Sequence, residues 1–327
     1  MDIDLDRGAR KDRLIGRGMK FRHLRILAEL LETHQVSAAA ARLNMTQPTA
    51  SRLLAEAETI VGVPLYERHP RGIRFTIMGQ TLAERARRLL RDLDQTDREI
   101  SELDQGTRGT VNIGSVTGPA LEIVLPVIRQ ARVTHPNIRV NVTVDLSDKL
   151  VTNLLAGDVD FYIGRLPADM DPRPFITHTI GEEPLSLVVR ESHPLTRKAN
   201  PTVEDCVGYD WILQPQGGLL RTTVESYLLG KGHSLPDRVL GTSSILLTLA
   251  LIASSNGIGA LARAAARFYA DREGMGMGMG IVTLPLAEDM RVTPYSLIHS
   301  RDIKPTPAAQ TLLTMIHERI DTLHREA

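Results

Sequence analysis

Apolar and polar residues follow a helical period through the first part of the chain. Residues 21–31 place an apolar side chain at every third or fourth position with charged residues between them, which predicts an amphipathic helix whose apolar side includes Phe21. The alanine-rich residues 36–43 predict a second, short helix with Ser37 as its N-cap. Thr46 then predicts the N-cap of a third helix.

The second and third predicted helices are typical of a helix-turn-helix, because both are short and a tight turn joins them. The third helix has Pro48 in its first turn and ends at Gly62. The residues that we expect to face its core are Leu53, Leu54, Ala57 and Ile60. Its polar start suits the major groove of DNA, where Gln and Arg pair with base edges and Ser and Thr reach bases or phosphates. The expected contact residues are Gln47, Pro48, Thr49, Ser51 and Arg52.

Residues 65–79 predict two short strands around a turn at residues 70–72, which is the pattern of a β-wing. Its arginines Arg68, Arg71 and Arg74 are expected to contact the DNA backbone or the minor groove. Any one of them could equally be a solvated surface residue, whereas the complete order of helix, turn, helix and wing is much harder to explain in that way.

The motifs of this segment resemble the N-terminal winged helix-turn-helix of LysR-type transcriptional regulators. They are Phe21-Arg22-His23-Leu24, Ser37-Ala38-Ala39-Ala40, Leu43, Thr46-Gln47-Pro48, Ser51, Leu65-Tyr66-Glu67-Arg68, Thr76 and Gly79. The resemblance implies an α/β multidomain fold: a winged helix-turn-helix, a long linker helix and a two-lobed, periplasmic-binding-protein-like effector domain. It implies these bounds: an N-terminal extension at 1–18, the DNA-binding domain at 19–78, the linker at 79–106 and the effector domain at 109–325, with lobe I at 109–181 and 283–325 and lobe II at 182–282.

Residues 80–105 contain neither Gly nor Pro and carry apolar residues at alternating steps of four and three, the pattern of a coiled-coil seam. The seam residues are Leu82, Ala86, Leu89, Leu93, Ile100 and Leu103, with Thr96 among them. Such a stripe either packs on its own domain or is buried against a second copy. The resemblance favours the second copy, because the family dimerises through a helix at this position.

From Thr110 onward, short apolar strands alternate with amphipathic helices, which predicts an α/β domain with largely parallel sheets. The length of this region is consistent with two α/β lobes. The chain is expected to cross between them near residues 181–184 and again near residues 282–285.

Ligands of such domains lie at the carboxyl ends of strands and at helix N-termini. In the LysR family the corresponding loops line the effector cleft, which implies effector contacts for Ser115, Thr117, Ser147 and Arg165. By position in the pattern alone, Gln214 and Gln216 join this set. A serine after a strand is also a common helix cap. A hydrophobic ligand would leave these donors unpaired, so we expect a small polar effector, and the cation of Arg165 favours an anionic one.

Composition adds a charge asymmetry to this picture. The chain has 39 basic and 39 acidic residues, but residues 1–92 carry 17 Lys or Arg against 11 Asp or Glu, as expected of a module that meets a polyanion.

The 42% hydrophobic content indicates a globular protein, and apolar runs are too short for a membrane span. A charged N-terminus without an apolar core predicts no secretory signal, and the single cysteine fits a reducing cytoplasm.

Signals of catalysis are weak. Cys206 has no nearby histidine partner and is expected to be a small buried residue. The ten histidines lack metal-ligand spacing, and no nucleophile elbow or phosphate-binding loop is present. The alternating glycines of residues 273–282 miss the dinucleotide-binding spacing and suggest a surface loop. We therefore expect no enzyme activity, no cofactor and no metal.

The sequence thus predicts a cytoplasmic, sequence-specific DNA-binding regulator that a small effector modulates. Its expected partners are double-stranded promoter DNA, the effector, and further copies of itself as a dimer or tetramer, with RNA polymerase as another candidate and no membrane. The alternative is a solute-binding module or α/β enzyme with an incidental basic arm.

Overall fold

The computed structural model of the chain describes residues 13–69, 72–105, 109–270 and 280–326. The chain divides into two compact units, Met1–Asp104 and Gln105–Ala327. Among the described residues, no helix combines the length and the apolar character that crossing a membrane requires.

The first unit confirms the predicted winged helix-turn-helix. Its elements are α1 (Arg13–Gly16), α2 (Phe21–Thr33), α3 (Val36–Arg42), α4 (Gln47–Val61), β1 (Tyr66–His69), β2 (Gly72–Phe75) and α5 (Ile77–Gln105). Helices α2, α3 and α4 enclose an apolar core in which Ala39 and Ala40 of α3 are buried and let the helices approach closely. Strands β1 and β2 pair in antiparallel fashion as the wing.

The ends of α4 follow from its sequence. The Thr46 side chain accepts a hydrogen bond from the backbone N–H of Thr49, and Gly62 ends the helix with a φ of 83°, where glycine is favoured. The cap predicted for α3 is wrong. The N-cap position is Gln35, and Ser37 lies inside the helix, because the left-handed residue His34 already turns the chain before Val36.

The core side of α2 also differs from the prediction. Phe21 is 57% exposed, whereas the buried residues His23, Ile26, Leu27 and Leu30 form the inner face. The helix is therefore rotated so that an imidazole occupies the position expected for an apolar side chain. In α4, Leu53, Leu54 and Ala57 are buried as predicted, and Ile60 is half-buried.

The second unit is a mixed sheet covered by helices. Its strands are β3 (Gly109–Ser115), β4 (Ile138–Val144), β5 (Phe161–Gly164), β6 (Phe175–Arg190), β7 (Trp211–Leu213), β8 (Val239–Gly241), β9 (Ile258–Ala262), β10 (Ile281–Thr283) and β11 (Arg291–Ser300). Its helices are α6 (Thr117–Pro119), which runs through a π-helical turn (Ala120–Val124) into α7 (Leu125–Thr134), then α8 (Ser147–Ala156), α9 (Val203–Val207), α10 (Leu219–Gly230), α11 (Ile245–Ser254), α12 (Arg263–Ala270) and α13 (Pro307–Glu326).

Strand order defines the two lobes. The sheet runs β4-β3-β5-β11-β6-β9-β7-β8, with β10 paired to β6. Strands β3, β4 and β5 are parallel in lobe I, and β7, β8 and β9 are parallel in lobe II. Each lobe has apolar cores on both faces of its strands. This two-lobed α/β architecture agrees with the expected fold class.

Two long antiparallel strands join the lobes. Strand β6 pairs with β11 up to Pro184 and with β9 from Leu185, so it crosses where the sequence placed the first crossing. The second crossing differs from the prediction. Residues Ile281–Thr283 form β10, which pairs with β6 inside lobe II, and the chain returns through β11 at a register shift between Val292 and Ser296. Pro294 interrupts the apolar alternation there, so alternation alone does not indicate β11.

Candidate functional site

The N-terminal half of α4 presents the predicted DNA-contact residues. Gln47, Pro48 and Arg52 are exposed, and Thr49 and Ser51 are half-buried beside them. The hydroxyls of Thr46 and Thr49 lie 2.9 Å apart, so the first turn has a fixed arrangement of polar groups. Because the opposite side of α4 is buried in the core, the free side of the helix is the side that carries donors for base edges.

The start of strand β2 in the wing is fixed to His34, the residue that follows helix α2. The N–H of Ile73 donates to the carbonyl of His34 at 2.8 Å, and a side chain at Gly72 would collide with the same carbonyl. Arg68 and Arg74 are both exposed on adjacent strands, where cations can reach phosphates. Arg71 lies outside the described residues.

Sequence reasoning missed the charged groups that surround Arg52. Its Nε lies 3.7 Å from Glu56 Oε1, and the other oxygen of Glu56 contacts Arg22 and His23. The spacing of Arg52 and Glu56 is i, i+4, a helical ion-pair spacing that the sequence already contains.

In the linker helix α5, some residues of the predicted seam are buried or half-buried and others are exposed. Ala86 is buried and Leu82 is half-buried against the first unit's core. Leu89, Leu93 and Ile100 are 52%, 49% and 60% exposed. The Leu103 side chain lies outside the described residues.

The structure brings three of the predicted effector residues to the carboxyl edge of lobe I. Ser115 is fully buried and its hydroxyl donates to the carbonyl of Val116 at 2.9 Å. Thr117 begins α6 and is half-buried. Ser147 begins α8, and its Oγ accepts the backbone N–H of Arg165 at 3.0 Å. Ser115 and Ser147 therefore already have internal hydrogen bonds and hold the loops together.

Arg165 forms a buried ion pair. Its Nη2 donates to Oε2 of Glu183 at 2.8 Å, and the two side chains are only 10% and 8% exposed. Its Nε donates to the carbonyl of Thr293 at 2.8 Å. The guanidinium carbon lies 5.9 Å from the centre of the Tyr295 ring, within range of a cation–π contact.

The partner Glu183 was not among the predicted residues. It lies in the crossing segment of β6, and a Cβ placed on Gly118 at the start of lobe I would collide with its carboxylate. Burial and the nearby carboxylates of Glu122 and Glu183 raise the pKa of Tyr295, so its phenol stays protonated. No sequence signal indicates this pairing, because Glu183 stands beside Glu182 and directly before Pro184.

The two glutamines lie elsewhere in lobe II. Gln214 Oε1 accepts the N–H of Leu220 at 3.1 Å and so caps the start of α10, whereas Gln216 is exposed. Across the described residues, no hydrogen bond or ion pair connects either glutamine to Arg165.

Cys206 is fully buried, and burial raises the pKa of its thiol to about 12. The described ranges contain no group of three or more His, Cys, Asp or Glu side chains that could hold a metal ion. The glycine-alternating segment falls almost entirely on residues 271–279, outside the described part of the chain.

A winged helix-turn-helix, a long helix and a two-lobed α/β domain together define a LysR-type regulator. The family description "Bacterial regulatory helix-turn-helix protein, lysR family" matches residues 21–80, and "LysR substrate binding domain" matches residues 104–321. The chain therefore belongs to the LysR family of DNA-binding transcriptional regulators with an effector-binding domain.

Named relatives agree with this assignment. The HTH-type transcriptional regulator GbpR of Rhizobium radiobacter is 47% identical over 253 residues, covering 77% of this chain and 84% of that protein. GbpR of Azospirillum brasilense is 36% identical over 311 residues, covering 94% and 89%. Full-length CbnR in complex with its target DNA shares the fold, with a TM-score of 0.63 at 23% identity, covering 93% of this chain and 99% of that one.

Proposed function

We propose that this regulator reads its operator through the N-terminal half of α4 and contacts flanking phosphates through its wing. The observation that carries this proposal is the polar face of α4, on which Gln47 and Arg52 are exposed, opposite a buried apolar face. Recognition helices enter the major groove with their N-terminal residues. A regulator of this kind acts in the cytoplasm, where promoter DNA and RNA polymerase are found.

The proposed pairing of two copies of the chain rests on exposed apolar residues of α5. Leu89, Leu93 and Ile100 are exposed although they are large and apolar, and they continue a heptad spacing. A second α5 would cover them. Two copies would then hold two recognition helices for two half-sites, and further association through the second unit would give a tetramer.

The proposed effector is a small polar molecule bound between the lobes near Arg165. The support is the convergence of Arg165, Glu183 and Thr293, which belong to three different loops or strands at the lobe crossing. An anionic effector would compete with Glu183 for the guanidinium. Both partners lie at the crossing between the lobes. Replacement of the Arg165–Glu183 pair by a contact of Arg165 with the effector would therefore favour one arrangement of the lobes over another. The ligand would in this way shift the population of molecules that binds and bends DNA.

Selection from randomised DNA duplexes by the full chain tests the first part of the proposal. We expect enrichment of a sequence with two related half-sites about one helical turn, or a multiple of it, apart. Absence of any enriched sequence would contradict it.

Calorimetry across polar acids, neutral polar metabolites and apolar aromatic compounds tests the effector. An anionic effector should bind more tightly to Glu183→Gln than to the wild type, because the competing carboxylate is gone. Tight binding of an uncharged aromatic compound would contradict the proposal.

A further inference from the structure

Two exposed arginines of the first unit share one carboxylate. Glu56 Oε2 lies 3.4 Å from Arg22 Nη2, and Glu56 Oε1 lies 3.7 Å from Arg52 Nε. Arg52 belongs to the face proposed to read bases, and Arg22 starts the neighbouring helix α2. The three side chains border an open groove of about 410 Å³ between α2 and α4.

Glu56 is held in place by a buried imidazole. The backbone N–H of Lys20 donates to Nδ1 of His23 at 3.0 Å, so the Nε2 of the neutral ring carries the proton. This Nε2 lies 3.0 Å from Glu56 Oε2 and donates to it. His23 is 1% exposed and closes the capping box of α2, which fixes the ring. The carboxylate thus has a rigid anchor that an ordinary surface glutamate lacks.

The arginine contacts are loose by comparison. The side chains of Arg22 and Arg52 are 49% and 68% exposed, and their distances to Glu56 exceed those of a good hydrogen bond. Exposed pairs of this kind contribute little to stability, so either guanidinium can leave for a DNA group. A phosphate offers a guanidinium a charged acceptor, as Glu56 already does, and such a contact is the same for every DNA sequence. A guanine edge at the correct register adds bidentate hydrogen bonds.

We propose that Glu56 is a specificity-determining residue: anchored by His23, it acts as a fixed counter-ion for Arg22 and Arg52 and so weakens their non-specific contacts with DNA phosphates. The inference rests on the proposed role of α4 in reading DNA. Non-specific binding consists of phosphate neutralisation and depends fully on free cations. Specific binding additionally uses the terminal nitrogens of Arg52, which can reach a base edge while Nε stays beside the carboxylate, 3.7 Å away.

The test uses the full chain with Glu56→Gln, which keeps the side-chain length and removes the charge. Its matched control is Glu84→Gln on α5, where the exposed carboxylate accepts a hydrogen bond from the Gln80 side chain, four residues earlier. The DNA probes are the duplex selected by the wild-type chain and a scrambled duplex of equal composition, each titrated over a series of salt concentrations.

For Glu56→Gln, affinity for the scrambled duplex should rise about two- to fivefold, the range expected for one exposed ion pair. The slope of log affinity against log salt should steepen by about one unit. Affinity for the selected duplex should stay equal or fall, so the ratio of specific to non-specific affinity declines. Glu84→Gln should leave that ratio unchanged. Equal behaviour of the two variants would overturn the inference.

A second comparison tests whether the arginines mediate the effect. In an Arg22→Ala, Arg52→Ala background, Glu56→Gln should no longer change the salt slope for scrambled DNA. A slope change that persists in this background would mean that Glu56 repels phosphates directly, which would also overturn the inference. Failure of the proposed function looks different: the wild-type chain would then select no sequence at all.

Discussion

The two binding regions of this regulator are constructed in opposite ways. The proposed DNA-contact surface uses exposed side chains that are close together in sequence, Gln47, Pro48 and Arg52 in α4 and Arg68 and Arg74 in the wing. The candidate effector site uses the buried ion pair of Arg165 with Glu183, and Arg165 also donates to the carbonyl of Thr293, 128 positions away in sequence. One region depends on local helix and turn formation, and the other depends on two strands that cross between lobes.

Because of this difference, we expect the two regions to respond differently to substitution. Exposed arginines can be removed with little effect on folding. Removing one member of a buried ion pair leaves an uncompensated charge in a low-dielectric environment, which is strongly destabilising. The candidate effector region would therefore combine ligand binding with stability, whereas the proposed DNA-contact surface would separate them.

The largest expected effect concerns the Arg165–Glu183 pair. Arg165→Ala or Glu183→Ala should each lower the free energy of unfolding of the second unit by about 3–5 kcal/mol, because the remaining charge stays buried. Urea unfolding of the full chain, followed through the buried Trp211, measures this unit selectively, since Trp211 is the only tryptophan.

The double variant Arg165→Gln with Glu183→Gln serves as the control. It should be less destabilised than either alanine variant, because neither buried charge remains. Single variants that unfold like the wild type would show that the pair is solvated, and the contrast between the two regions would then disappear.

The next effect concerns the exposed apolar stripe of α5. Leu89→Asp with Leu93→Asp should reduce the molecular mass measured by light scattering and weaken operator binding, because burial of unpaired carboxylates opposes pairing of the helices. Gln80→Asp with Thr81→Asp adds the same charge to α5 away from the seam and should leave the mass unchanged. An unchanged mass for the leucine variant would assign the stripe to packing within one chain.

A smaller effect on stability distinguishes Thr46, the observed cap of α4, from Ser37, the cap predicted for α3. Thr46→Ala should lower the stability of the first unit by about 1 kcal/mol, because the N–H of Thr49 loses its acceptor. Ser37→Ala should have almost no effect, since Ser37 lies inside α3 and does not cap it. Thermal unfolding followed by circular dichroism measures both. Equal losses in the two variants would contradict the observed cap.

The contrast between local structure and contacts of distant segments also determines how much of the molecule could be predicted from the sequence. The ends of α4, the wing and most strands follow from local patterns, as Thr46 and Gly62 illustrate. Strand β11 could not be predicted from alternation, because Pro294 and a register shift interrupt it. The pairing of Arg165 with Glu183 depends on the tertiary crossing, so the chain order gives no indication of it. Phe21 was misplaced because a buried histidine with two hydrogen bonds replaces an apolar residue.

A salt-dependent comparison of Arg52→Ala with Arg74→Ala tests the account of DNA binding most directly. Each full-length variant is titrated with the selected duplex and with its scrambled counterpart. Arg52→Ala should lose about 1–3 kcal/mol of binding to the selected duplex and much less to the scrambled one, as expected for a lost base contact. Arg74→Ala should weaken binding to both duplexes alike and lower the salt slope by about one unit, as expected for a lost phosphate contact. Equal loss on both duplexes for Arg52→Ala would contradict the assignment of α4 as the reading helix.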